Sequence, residues 1–353
     1  MKTRIIDSSS DSRWNEFIEK HPLGCIFHHS AWKEVLEKTF PQLKSFYFIA
    51  EDSDAIIRGA IPFFEVNSWL TGNRFVSLPF SLYCDPLVET QEIFNTLIKD
   101  IVEKQEQIHA GFITMRTRFA GHFFINTNFK QFIGYKNHTL SLDPSLVTIE
   151  RSFHRSCVRQ RISRAEQSDI TISEACSESD VKCFYELFCM TRKKIGFPPQ
   201  PFRFYRNKWE ILYPRKMLGI LIAKYHDQPV SSLLFLKFKQ RVHAECMGTD
   251  DRYLDHSPNI LLFWRAIQLV KAEGYRFFDF GGSAINNLNL IAFKRRWGTV
   301  EEDISHYYFP CVKGLSSDLA QSARYKLLTK LSPKLPDRIF KWTGQLLYRH
   351  LGG

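Results

Sequence analysis

The segment IAEDSDAIIRGAIPFF, residues 49–64, has a counterpart in IAKYHDQPVSSLLFLK, residues 222–237. Each is an apolar run, a short polar turn and a second apolar run, which is the pattern of a β-hairpin. The elements around the two hairpins repeat as well. Past the first hairpin come a strand at 74–79, the loop SLYCDPLVE, a helix over 89–107 and a strand at 111–117. In that helix Ile93, Phe94, Leu97, Ile98, Ile101 and Val102 fall on one face. Past the second hairpin come the strand RVHAECMGTD, the loop DRYLDHSPN, a helix over 260–272 and the strand RFFDFGG. The order predicts an α/β protein with an internal duplication, two copies of one unit. Helices over 11–40 precede the first copy, with Trp14, Phe17 and Ile18 on one face, and Ala31, Trp32, Val35 and Leu36 on another after a Ser30 cap.

A chain of 353 residues that is 44% hydrophobic and 14% aromatic buries ample core and makes about two domains. Its eight cysteines form no CxxC pair and no metal-like spacing with histidine, which argues against a zinc site or a disulfide framework. Scattered thiols point to a reducing compartment. The beginning MKTRIIDSSSDSRW lacks an apolar signal core, and no run of about 18 apolar residues occurs, so the expectation is a cytoplasmic protein without a transmembrane segment. The formal charge of +11 is uneven: residues 311–353 hold eight Lys or Arg against Asp318 and Asp337. Such a surface favours anionic partners without choosing among them.

Chemistry concentrates in RFFDFGGSAINNLNLIAFKRRWG, residues 276–298. A buried strand is broken by Gly281 and Gly282, and Asp279 sits inside it, where a carboxylate needs a partner or a task. Asn286, Asn287 and Asn289 offer neutral donors and acceptors. Phe293 and Trp297 then enclose Lys294, Arg295 and Arg296, a set suited to a phosphate or carboxylate beside a stacking surface. The plainer alternative is a glycine turn, an Asn cap and a solvated basic face. RSFHRSCVRQRISRAEQ, residues 151–167, reads as a helix with a narrow apolar stripe of Val158, Ile162 and Ala165, flanked by Arg155 and Arg159 on one side and by Arg161 and Arg164 on the other. The loop after Met190 adds Arg192, Lys193, Lys194, Arg203 and Arg206 among Phe197, Phe202 and Phe204, a mixture that holds bases by stacking and phosphates by charge.

The two units, the basic HRSCVRQRISRAEQ helix, the RKKIGFPPQPF loop, HSPNILLFWRAIQLVKAEGYRFFDFGGS and IAFKRRWGT together resemble the FemAB family over about residues 11–310. Its members have tandem acyl-CoA N-acyltransferase-like (GNAT) domains and are aminoacyl-tRNA-dependent transferases that build peptidoglycan cross-bridges, with relatives in polysaccharide-linked gene clusters. The resemblance implies GNAT-like domains with mixed sheets at 1–145 and 146–310, the second opening with the basic helix, and basic amphipathic helices at 311–353. It implies transfer of an aminoacyl or acyl group to an amine or hydroxyl of an anionic cell-envelope precursor. The Phe293-Lys294 pair matches the family's acceptor and acyl-donor site, where Lys294 would stabilise an oxyanion. Asp279 or Asp85 is the candidate base; Asp85-Pro86 reads equally as a helix-start cap. Ser81 and Tyr83 would face the acceptor. Arg155, Arg159, Arg192, Asn259, Gly281, Gly282, Ser283, Asn289, Phe293 and Trp297 complete the substrate-binding candidates, with no metal and no resident cofactor.

A coenzyme A-dependent GNAT unit cradles pyrophosphate on a Gly-rich helix start. The equivalent stretches here, SLYCDPLVE and DRYLDHSPN, have no glycine, and Pro258 removes a donor. Aminoacyl-tRNA or another acyl carrier is therefore the expected donor. The competing readings are an acyl-CoA-dependent N- or O-acetyltransferase and a non-catalytic binding protein on a relic scaffold. In the tail, Leu315, Leu319, Ala323, Leu327 and Leu331 repeat at helical spacing, and Ile339, Trp342, Leu346 and Leu347 form another apolar face. These helices either pack on the core or bind an anionic membrane surface, which would place the protein peripherally at the inner face of the cytoplasmic membrane.

Overall fold

The computed structural model describes residues 1–69, 72–310 and 332–351. They form two compact units, and among the described residues the chain passes between them at Tyr135 and Lys136, at Glu302 and Asp303, and at Gln345 and Leu346. The first unit contains β1 (Lys2–Ile6), α1 (Arg13–Lys20), α2 (Ser30–Thr39), β2 (Lys44–Glu51), β3 (Ile57–Val66), β4 (Arg74–Val76), β5 (Leu87–Val88), α3 (Gln91–Gln107) and β6 (Ile113–Thr117). After β7 (Lys130–Ser141), the second contains α4 (Leu146–Ser152), α5 (Gln160–Glu166), β8 (Ile170–Glu174), α6 (Glu178–Ile195), α7 (Phe202–Leu212), β9 (Leu218–Tyr225), β10 (Gln228–Phe238), β11 (Arg241–Thr249), α8 (Pro258–Ala272), β12 (Phe277–Ala284) and α9 (Leu288–Arg295). Then come β13 (Val300–Phe309) and a last helix, α10 (Asp337–Leu351).

Both expected hairpins form. β2 pairs antiparallel with β3, Ala50 opposite Gly59, and β9 pairs antiparallel with β10, Ile222 opposite Ser232. The strand orders repeat: β1-β2-β3-β4-β6 in the first unit and β8-β9-β10-β11-β12 in the second. In each, a single parallel pairing follows the crossover helix, β4 with β6 and β11 with β12. A parallel pair needs such a crossover, which α3 and α8 supply. The helices pack by the faces their spacing marks: Ile93, Phe94, Leu97 and Ile101 join Phe48, Phe63 and Met115 in one core, and Ile260, Phe263, Trp264 and Ile267 join Val242, Phe278 and Phe280 in the other.

Several elements depart from the sequence reading. β1, β7, β8 and β13 are strands that no hairpin pattern announces. β13 pairs antiparallel with β6, Tyr307 opposite Met115, and so extends the first unit's sheet, whereas β7 lies beside β12 in the second. The helix expected over 151–167 is in pieces. It breaks at Phe153, whose ψ of 146° is extended, and resumes through a π-helical turn at Arg155–Arg159. Its apolar stripe is nevertheless buried as expected, with Val158, Ile162 and Ala165 in the core. Arg192, Lys193 and Lys194 are not in a loop: α6 runs through them and stops at Gly196, whose φ of +80° is the left-handed conformation glycine adopts without cost. The tail repeat from Leu315 to Leu331 lies outside the described residues.

Candidate functional site

The site grows from the parallel pairing of β11 with β12, whose last paired residues are His243 and Asp279. Two residues on, Gly281 takes a φ of +75° while β12 continues to Ala284, so the glycine kinks the strand and does not end it. Asp279 is fully buried. Its Oδ1 accepts the Gly281 N–H at 2.8 Å, and its Oδ2 accepts from Asn137 Nδ2 at 2.9 Å. Arg241 NH1 at 3.7 Å and His243 Nδ1 at 3.5 Å face the same oxygen. These donors answer the cost of burying a carboxylate, and they make Asp279 the anchor of the glycine kink.

α9 then returns the chain to the kink. Asn287 caps it, its side-chain oxygen accepting from Leu290 N–H at 3.2 Å. Lys294, in the last turn, is 6% exposed, and its Nζ donates to the carbonyls of Gly281 at 2.8 Å and Gly282 at 2.9 Å. Burial lowers its pKa to about 8, against the opposing pull of Asp279. Ser283, also buried, has an Oγ with no hydrogen-bond partner among the described residues.

β7 adds a residue that the sequence reading missed. The His138 ring is wholly buried, and neither nitrogen has a hydrogen-bond partner among the described residues. Its Nδ1 lies 3.8 Å from Glu301 Oε1, and Glu301 is held by Arg295. Burial, with the nearby Lys294 charge, lowers its pKa to about 4, so the imidazole is neutral at physiological pH. His243 carried one legible signal, a polar residue between Val242 and Ala244, whereas Asn137 and His138 lie in the polar stretch 136–139 and β7 itself was not legible as a strand.

Other candidates lie elsewhere. Trp297 is not a stacking surface: it has no exposure and packs against Phe153, Phe263 and Phe280. Phe293 is half-buried against the same core. The cations between them also part, Lys294 inward and Arg295 outward to Glu301. Asn289 is exposed in the first turn of α9, and Asn259 is half-buried in the first turn of α8. The Arg192 guanidinium lies over the rings of Phe188 and Phe197.

In the first unit, Ser81, Tyr83 and Asp85 are all buried and do not present an open surface. Ser81 Oγ donates to Leu78 O at 2.6 Å, and Tyr83 OH accepts from Arg118. Asp85 Oδ1 accepts three backbone N–H groups, from Arg118, Phe119 and Ala120. Burial still raises its carboxyl above the usual range, and its Oδ2 is enclosed without a hydrogen-bond partner among the described residues. Asp85 thus caps the turn at 118–120, not a helix beginning at its own position.

At the start of α8, the place of a pyrophosphate cradle, Ser257 has a φ of +56° and Pro258 opens the helix. Arg252, in the preceding 3-10 turn, is bound to Asp250.

A family model described as Acetyltransferase (GNAT) domain matches residues 152–295. No curated protein matches the sequence. Among solved structures, FemX superposes with a TM-score of 0.72 at 14% identity, over 87% of this chain and 97% of that one. L-PGS from Bacillus licheniformis gives 0.59 at 14% identity, over 93% and 98% of the two chains. A tandem GNAT protein from the clavulanic acid biosynthesis pathway gives 0.57 at 10% identity, over 87% and 97%. Residues 152–295 are thus an acetyltransferase (GNAT) domain, a transferase domain, and the chain shares its fold with FemX and with a tandem GNAT protein.

Proposed function

We propose that the chain transfers an aminoacyl group to an amine or hydroxyl of an anionic cell-envelope precursor, with Lys294 as the group that stabilises the developing oxyanion. One observation carries the reading: a buried amine is held by two carbonyls against a glycine kink that a buried Asp279 anchors. Packing alone has no use for a cation there, whereas an ammonium in a water-poor site is well placed for charge that appears only in the transition state. Asp279 is then a positioning residue, since Gly281 and Asn137 occupy its oxygens.

The donor is inferred from two features. The start of α8 has a proline and a left-handed serine where coenzyme A would need free amides. Arg155 and Arg159 on one flank of the buried stripe, and Arg161 and Arg164 on the other, have no carboxylate partner among the described residues. Guanidinium groups without carboxylate partners suit a polyphosphate backbone such as that of aminoacyl-tRNA. The resemblance of the sequence to the FemAB family implies the same class of donor.

The test is a transfer assay with charged tRNA and envelope precursors. Lys294→Ala is expected to lower the rate about 10²–10³-fold while the fold is kept. An unchanged rate removes Lys294 from the mechanism, and marked thermal stabilisation by coenzyme A would replace the proposed donor.

A further inference from the structure

We infer that α10 seats the protein on an anionic membrane surface, through an apolar stripe that its own packing leaves outside. The helix, DRIFKWTGQLLYRHL, has two apolar faces. One is used by the protein. Phe340 and Tyr348 are buried, and Gly344 comes so close to the Pro199 backbone that a Cβ would lie 2.1 Å from Pro199 O. Asp337 pairs with Lys193 of α6 at 2.5 Å, and Lys341 pairs with Glu186 of the same helix at 2.6 Å.

The second face has no such use among the described residues. Ile339, Trp342 and Leu346 stand 46%, 57% and 42% exposed, at the three- and four-residue steps that make a continuous stripe. A surface helix needs one apolar face to pack; a second one, rimmed by polar groups, marks an interaction site. Charge selects the partner. Exposed Arg338 and Arg349 flank the stripe, and the single carboxylate of the helix, Asp337, is already bound to Lys193. A tryptophan at the centre with arginines at the ends is the pattern of a helix lying in a headgroup layer. No helix among the described residues is long and apolar enough to cross a membrane, so the contact is peripheral. The sequence left packing and membrane binding as alternatives for this helix, and its two faces allow both. The inference does not rest on acyl transfer.

The experiment is flotation of the full chain with phosphatidylcholine vesicles made with and without phosphatidylglycerol. The parent is expected to float with the anionic vesicles and to be released by salt. The Ile339→Ser, Trp342→Ser, Leu346→Ser triple variant is expected to bind at least about tenfold more weakly with its Tm unchanged, because the three side chains face solvent. Equal flotation of parent and variant, or no flotation of the parent, overturns the proposal. A large drop in Tm would mean that the stripe is covered by the chain itself. A parent dimer that the variant dissolves, with neither floating, would make a second copy the occupant. Because flotation involves no acyl donor, its failure and that of the transferase reading are separable.

Discussion

Lys294 has a charge state that its hydrogen bonds make consequential. An ammonium has three N–H donors, of which the carbonyls of Gly281 and Gly282 take two, leaving one for an oxyanion. The neutral amine has only two, both occupied. With a pKa of about 8, the group loses its spare donor just above physiological pH. Turnover is therefore expected to fall above pH 8, approaching tenfold per pH unit, and the limb should be absent from the residual rate of Lys294→Ala. The stability linkage runs the other way. A folded pKa below the ordinary 10.5 means that the unfolded chain binds more protons between pH 8 and 10.5, so this residue's contribution to stability rises with pH across that window. Rates and denaturation midpoints measured side by side from pH 7 to about 10 separate the two. A rate that rises through pH 8 would instead make Lys294 a base.

At the level of elements, α9 and the residues just after it reverse one reading of the sequence. Phe293 and Trp297 are four residues apart, and that spacing looked like an enclosure for cations. The same spacing turns both rings inward toward α8 and Phe280, leaving the cations to diverge. Trp297→Ala should therefore act through the core, costing about 3–5 kcal/mol in urea denaturation, whereas Lys294→Ala leaves the fold in place. Loss of activity in Trp297→Ala without loss of stability would restore the stacking role. Elements were legible where their partners are near in sequence. Each hairpin closes over a few residues, so its apolar runs and turn declare it, and α3 and α8 declare their packed faces by period. β7 and β13 have distant partners, and β7 alternates weakly through Lys130, Gly134 and Lys136, so it reads as loop until the sheet is seen. The site was visible where it rests on the local Asp279, Gly281 and Lys294 pattern. It was hidden where β7 supplies Asn137 and His138, because that juxtaposition exists only in three dimensions.

Across the whole molecule, the two long-range strands impose a shared acid weakness. β7 places His138 in the second unit, and β13 places His306 in the first, both buried. Burial holds their pKa values to about 4 and about 3, with Lys294 adding to the effect on the former and Arg116 on the latter. Both are therefore neutral in the folded chain at pH values where an unfolded histidine, ordinarily near 6.5, has taken up a proton. The unfolded state binds more protons below 6.5, so stability is lost as pH falls from there toward 4, by an amount on the order of a few kcal/mol for the pair. Paired carboxylates do not produce this limb. Asp11 and Glu51, held low by Arg13 and Arg4, give up their contributions only near and below their ordinary values of 3.8 and 4.5. Asp85, with its raised pKa, works in the opposite direction, since its protonation relieves a burial cost. Urea midpoints measured between pH 7 and pH 4 should therefore fall steadily in the parent and much less in a His138→Gln, His306→Gln double variant, with each single variant in between. A double variant that keeps the full acid slope would place the weakness in other groups and leave the two buried imidazoles without a part in it.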